Sequence, residues 1–178
     1  MLNLIKNTSD INTRKSVFDY TAFHSRAYRL DEWEGSPNYL IKGMNSSSKG
    51  QAGQDLVEYL ARSNGCSVYG AENKGHDLII EETKVEVKTA TSSAKGHSGY
   101  IFLINQIRPK HDFEWLVFVL ITPNSLEVWQ CPRSYYLNTN NESVSQQHMG
   151  AAGSGETLMV RFEGQPPAGT LLMKETYV

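Results

Sequence analysis

Asp77, Glu86 and Lys88 place two carboxylates and one ammonium close together in the run Gly75-His76-Asp77-Leu78-Ile79-Ile80-Glu81-Glu82-Thr83-Lys84-Val85-Glu86-Val87-Lys88. Apolar and polar residues alternate through both arms of this run, and the polar, turn-tolerant Glu81 to Thr83 separate them, which is the pattern of a β-hairpin. Pairing Ile80 with Val85 and Ile79 with Glu86 sets Asp77 opposite Lys88, one pleat step from Glu86, so the three charges share a face. Leu78, Ile80, Val85 and Val87 form the other face and require a core. A slip of one residue would bring Lys84 and Glu86 beside Leu78 and Ile80, so burial selects the register that clusters the charges. Two carboxylates and a lysine so placed are either a metal site or a solvated strand face. The surroundings favour the metal site: a helix carrying acids precedes the hairpin, and a loop rich in hydrogen-bonding groups follows it.

The elements that must position these groups are legible in outline. Residues 51 to 63 read as a helix stopped by Asn64-Gly65, with Ala52, Leu56, Leu60 and Val57 as its buried stripe and Asp55 and Glu58 beside it. Asn45-Ser46-Ser47-Ser48 reads as a loop before it. Residues 66 to 69 form a short strand that leads into the hairpin. Beyond Lys88, residues 89 to 99 are small, hydroxylated and basic, the groups that contact phosphate oxygens. An apolar run from Tyr100 to Ile104 precedes a polar, basic one ending at Lys110. Residues 113 to 121 are nearly continuously apolar, the mark of an interior strand covered on both faces. Pro123-Asn124-Ser125 turns that strand into 126 to 130, whose alternation fits a place nearer the sheet edge, and 157 to 162 alternate as one more strand. A sheet of at least four strands with a helix before it gives an α/β (α+β) fold with a central mixed β-sheet flanked by helices.

With 178 residues, 39% of them hydrophobic, the chain fits one domain, 1–178. Residues 1–48 form an N-terminal helical extension, with a helix over 16 to 29 marked by Val17, Tyr20, His24, Ala27 and Tyr28 at helical spacing. No apolar run is long enough for a membrane span or a signal peptide, so no membrane partner is expected. Cys66 and Cys131 fit no zinc spacing and read as free thiols in a reducing, cytoplasmic setting. The five histidines show no paired ligand spacing, which disfavours a zinc hydrolase. A net charge of −2 argues against a protein that coats nucleic acid non-specifically, and leaves a DNA enzyme open. Locally the balance reverses, because Lys84, Lys88, Lys95, Arg108 and Lys110 stand against Glu86 alone between residues 84 and 110.

His76-Asp77, an eight-residue gap and Glu86-Val87-Lys88, preceded by Glu58 on a helix, resemble the motif of the PD-(D/E)XK nuclease superfamily, with His76 where that family commonly has proline. Lys88-Thr89-Ala90, Gln106-Ile107-Arg108-Pro109, Trp115, Gln147-His148 and Glu156-Thr157 are similar to small restriction-endonuclease-like members, and the likeness covers roughly residues 50 to 160. It implies a restriction-endonuclease-like core over 50–162 and a Mg²⁺-dependent endodeoxyribonuclease, with Mn²⁺ able to substitute. Asp77 and Glu86 would be direct metal ligands, with the Val87 carbonyl as a third. Lys88 would orient or deprotonate the attacking water and offset phosphate charge, and Glu58 would tune the site through a water or hold a second metal.

The expected partner is double-stranded DNA, contacted by Lys95, His97, Gln106, Arg108 and Lys110 and by a loop over 138–157 that carries Gln147 and His148. A sequence-specific type II restriction enzyme is the leading expectation. Cutting both strands of a palindrome would call for a homodimer. The alternatives are a structure-selective nuclease such as a Holliday junction resolvase, or a non-catalytic DNA-binding module with this fold.

Overall fold

The computed structural model describes residues 32–71, 75–137, 144–146, 157–166 and 171–172. Two helices open the described chain, α1 (Tyr39–Gly43) and α2 (Ser46–Ser63). Strands β1 (Val68–Gly70), β2 (Leu78–Ile80), β3 (Thr83–Thr91), β4 (Ala94–Lys95), β5 (Tyr100–Ile107), β6 (Trp115–Ile121) and β7 (Leu126–Pro132) follow. A short helix α3 (Arg133–Leu137) precedes β8 (Val144–Gln146), β9 (Leu158–Glu163) and β10 (Leu171–Leu172). The helix expected over 16 to 29, Gln147 and His148, and most of the 138–157 loop lie outside the described residues.

The strands make two sheets, one of six in the order β1-β2-β3-β6-β7-β10 and one of four in the order β4-β5-β9-β8. β3 and β6 run parallel, from Val85↔Trp115 to Thr91↔Ile121, and every other pair is antiparallel, so the central sheet is mixed as expected. β6 explains the layering. Its alternate residues Val117, Val119 and Ile121 join Trp33, Val57, Leu60 and Ala61 in one core, beneath α2. Leu116, Phe118 and Leu120 join Phe102, Ile104, Val160 and Phe162 in a second core, beneath the four-stranded sheet. Residues 116 to 121 are therefore all buried, and a run with no polar face is what two covered faces demand. A second sheet, rather than a further helix, covers the face opposite α2.

Segment 32–43 packs on the same body. Trp33 is buried under α2, and the buried Asn38 amide donates to the carbonyls of Thr122 (2.9 Å) and Ser125 (3.1 Å) in the β6–β7 turn.

Three local expectations are corrected. First, α2 starts at Ser46 rather than near Gln51, because Asn45 is its N-cap and accepts the Ser48 N–H at 2.9 Å through its side chain. The run read as a loop is the cap and first turn. Second, the buried stripe of α2 is Gly53, Val57, Leu60 and Ala61, with Ala52 and Leu56 only half-buried. Third, the hairpin register is Leu78↔Val85, Ile79↔Lys84 and Ile80↔Thr83, two residues away from the expected pairing. Its loop is Glu81-Glu82 alone, both at positive φ (48° and 67°), which is the two-residue turn whose twist suits a hairpin. A shift of two preserves the faces, so Leu78, Val85 and Val87 still enter the core beneath α2.

Candidate active site

β2 is three residues long, and that brevity creates the site. The Asp77 N–H still donates to the Val85 carbonyl at 2.9 Å, but the ladder then ends. The next donor on β3, the Val87 N–H, is taken at 2.7 Å by the Asp77 carboxylate through Oδ2. A side-chain oxygen thus stands where a longer β2 would have offered a carbonyl. The N–H and C=O of one strand residue point to the same edge, so the Val87 carbonyl faces this edge as well. From Glu86 to Thr91, β3 has no strand partner on that side among the described residues.

Along the open edge lies a cleft of about 500 Å³. α2 supplies one wall with Ser46, Lys49, Gly50 and Gln54, and β5 supplies another with residues 103–106. Asp77 and residues 87–91 of β3 form the floor. Gln54 closes the inner end, where its Nε2 donates to the Asp77 carbonyl at 3.3 Å. α2 approaches β3 this closely because residue 53 is glycine; a Cβ there would stand 1.8 Å from Thr89 Oγ1.

Glu86 and Lys88 project from β3 toward the four-stranded sheet. Glu86 is 5% exposed, and its Oε1 accepts from Lys88 Nζ at 2.6 Å. Lys88 is less buried and reaches the cleft. The glutamate holds the ammonium in place, and the ammonium compensates a carboxylate that burial would otherwise make costly. The observed register, continued by one residue, sets Asp77 opposite Glu86, where the sequence had placed it opposite Lys88. Asp77 Oδ1 has no hydrogen-bond partner among the described residues.

No protein-family model matches the chain, and no curated protein matches it. Among solved structures it is similar to a bacterial homing endonuclease, I-Ssp6803I. The two are 19% identical, the match covers 53% of this chain and 70% of that one, and the TM-score is 0.42.

The cleft gathers only part of the expected set. Asp77, Val87, Lys88 and Gln106 line it, with Glu86 behind Lys88. Glu58 turns elsewhere: its Oε1 accepts from Arg62 Nε at 2.9 Å, and Arg62 Nη2 reaches the Val68 carbonyl at 2.7 Å, which ties that carboxylate to the α2–β1 corner. Asp55 accepts from Gln51 on the exposed face of α2. One turn before Glu58, Gln54 is the α2 side chain that meets Asp77. Lys95 lies in β4 with its ammonium 5.7 Å from the centre of the Tyr100 ring, and His97 is exposed in the turn that follows. Arg108 and Lys110 are exposed just past β5. None of these four lines the cleft.

Sequence reasoning missed Ser46, Lys49, Gln54 and Asn105. The signal for Ser46 and Lys49 was the Asn45-Ser46-Ser47-Ser48 cap: a helix starting there stacks 46 and 50 under Gln54, which lies within the expected helix, at spacings of four, with Lys49 alongside. Asn105 was hidden by an irregularity in β5 that no alternation pattern reveals.

His76 is 5% exposed, and neither ring nitrogen has a hydrogen-bond partner among the described residues. Asp112 is held below the usual carboxylate range, chiefly by a hydrogen bond from Lys84 and by its charge, with smaller help from His76 and Arg133. No group of three or more His, Cys, Asp or Glu side chains among the described residues is placed to hold a metal.

Proposed function

We propose that this protein is a Mg²⁺-dependent endonuclease of the PD-(D/E)XK type that hydrolyses phosphodiester bonds in double-stranded DNA, with Mn²⁺ able to replace Mg²⁺. The observation that carries the reading is the convergence at the open edge of β3. The Asp77 Oδ1, unpartnered among the described residues, the outward carbonyl of Val87 and the Glu86-held Lys88 ammonium meet at one polar cleft. Oxygen donors of this kind fit a hard cation that takes one or two carboxylates, a carbonyl and substrate oxygens. Asp77, Glu86 and the Val87 carbonyl would hold the ion, which when bound supplies charge neutralisation at phosphate and lowers the pKa of water.

The chain's own groups account for the rest. Lys88 Nζ, fixed by Glu86, orients the attacking water and balances charge as the phosphorus gains a fifth oxygen and the departing sugar oxygen leaves. Lys49 on the α2 wall presents a second cation to the backbone, Lys95, Arg108 and Lys110 extend the positive rim beyond the cleft, and His97 adds an exposed polar ring beside Lys95. Glu58, paired with Arg62, has no part in this reading.

The finer assignment we propose is a type II restriction enzyme acting as a homodimer, each subunit cutting one strand of a palindromic site. Supercoiled plasmid with Mg²⁺ is the test, run with Glu86→Ala, with Lys88→Ala and with EDTA. Wild-type protein should give defined fragments, and loss of the charge placed by Lys88 at the developing phosphorane should slow cutting by about 10²–10³-fold. Undiminished cutting in both variants would sink the site, and cutting in EDTA would sink the metal requirement. Cleavage confined to four-way junctions would favour a resolvase, and light scattering that shows a monomer on DNA would remove the dimer.

A further inference from the structure

We propose that the bulged segment Asn105-Gln106 of β5 is the base-reading element of this cleft, and that it takes the adenine of an A·T pair in the major groove. The inference rests on the DNA reading above and goes beyond it, because it assigns specificity to two adjacent residues. β5 follows β9 in register to Ile104↔Val160 and resumes at Ile107↔Leu158, so two residues of β5 face the single Met159. Ile104 and Ile107 are both buried, at 2% and 0% exposure, while Asn105 and Gln106 between them are both exposed and both line the cleft. Regular pleating sends consecutive side chains to opposite faces. The bulge puts two consecutive amide residues on the wall of the cleft that Lys88 and Asp77 also line.

The backbone is strained to do so. Gln106 has φ +59°, in the left-handed region that glycine adopts most readily. Glycine would build the same bulge without strain, so the glutamine side chain is what the strain retains. Both side chains are neutral amides, carrying a donor and an acceptor side by side, and they bring no charge to a phosphate. That pair of groups matches N7 and the N6 amino group of adenine, bidentately. Leu103, 40% exposed on the same wall, supplies an apolar surface suited to the thymine methyl of the same pair. A two-stranded ribbon such as β5–β9 is of a size that the major groove admits.

The test is selection from a randomised duplex library with Ca²⁺ in place of Mg²⁺, on wild-type protein and on Asn105→Ala, Gln106→Ala and Gln106→Gly. Wild-type protein should enrich a motif containing A·T pairs. Each variant should lose about 5- to 100-fold discrimination at one such pair. Affinity for the unselected library should fall far less than affinity for the enriched motif, and its salt dependence, which counts phosphate contacts, should not shift. Gln106→Gly should lose discrimination with no fall in melting temperature, which separates the side chain from the fold. An unchanged motif in the variants, a wild-type pool with no enriched base, or weakening that is uniform across all sequences would overturn the proposal. A recovered A·T motif with plasmid left intact in Mg²⁺ would reject the nuclease and leave this reading standing. Cutting without any A·T dependence would do the reverse.

Discussion

Gly53→Ala probes the contact that sets the width of the cleft. The added Cβ would lie 1.8 Å from Thr89 Oγ1, 3.0 Å from Thr89 Cβ and 3.2 Å from Cγ2, and the first of these is 1.6 Å short of the 3.4 Å at which ordinary contact begins. Threonine is stiff at χ1 and its Oγ1 is buried, so rotation offers little relief and α2 must move off β3. Overpacking of this kind costs about 1–3 kcal/mol, and the overlap puts this case near the upper end. Replacing glycine within a helix returns about 1 kcal/mol, which leaves a net loss near 2 kcal/mol. At roughly 2–4 °C per kcal/mol for a chain of this size, the melting temperature should fall by about 4–8 °C. Urea denaturation should show the same loss as a lower midpoint. Thr89→Ala in the same background removes an oxygen that has no hydrogen-bond partner among the described residues, so it should recover more than half of the loss, with a coupling energy of about 1–2 kcal/mol. Stability of Gly53→Ala within about 0.5 kcal/mol of wild type, or no recovery in the double variant, would refute the close approach.

Other perturbations test the charges. Lys88→Met leaves the nearly buried Glu86 without its cation and should lower stability by about 2–4 kcal/mol, less than a fully buried pair would lose because Lys88 borders the cleft. Glu86→Gln should cost less, and a chemical-denaturation comparison that ranks them the other way would contradict the pairing. Lys49→Ala should reduce the slope of log affinity for duplex DNA against log salt by about 0.9, the signature of one lost phosphate contact. An unaltered slope would remove Lys49 from the interface. The carboxyl of Asp112 should titrate below 3.8 by carbon NMR and move up toward that value in Lys84→Met. Since its folded pKa is depressed, the Lys84–Asp112 contact stabilises the fold above about pH 3.8 and fades as acid protonates the carboxyl, and a midpoint unmoved by the substitution would show that Lys84 is not the cause.

The sequence carried the architecture best where one physical demand dominated. Residues 116 to 121 have no polar face, and only an interior strand between two layers accepts that. Asn64-Gly65 ended α2 where expected, with Gly65 at φ 81°. Legibility failed where two chemistries share the same residues. Asn45-Ser46-Ser47-Ser48 is as good a loop as it is a cap and first turn, and choosing the loop hid Ser46 and Lys49. Glu81 and Glu82 carry no turn preference at positive φ, so the two-residue loop and the register it fixes could not be read from residue type. Glu58 looked suited to the site because it is an acid on the right helix, but the side chain's destination was set by Arg62 four residues on. Lys88 and Glu86 were found because their spacing on one strand survives any even shift of register.

The oxygen of Asp77 on the Val87 N–H has a consequence for the protein in storage and in the cell. A strand such as β3, with one side unpaired from Glu86 to Thr91 among the described residues, is a template on which another chain can add, and proteins commonly blunt such sides with charge. Here the charge sits on the first open donor, so an incoming strand would have to displace a carboxylate before its first ladder bond could form. The group proposed to take part in chemistry thereby also guards against self-association, and a neutral residue at 77 would expose the molecule to aggregation independently of any effect on cutting DNA.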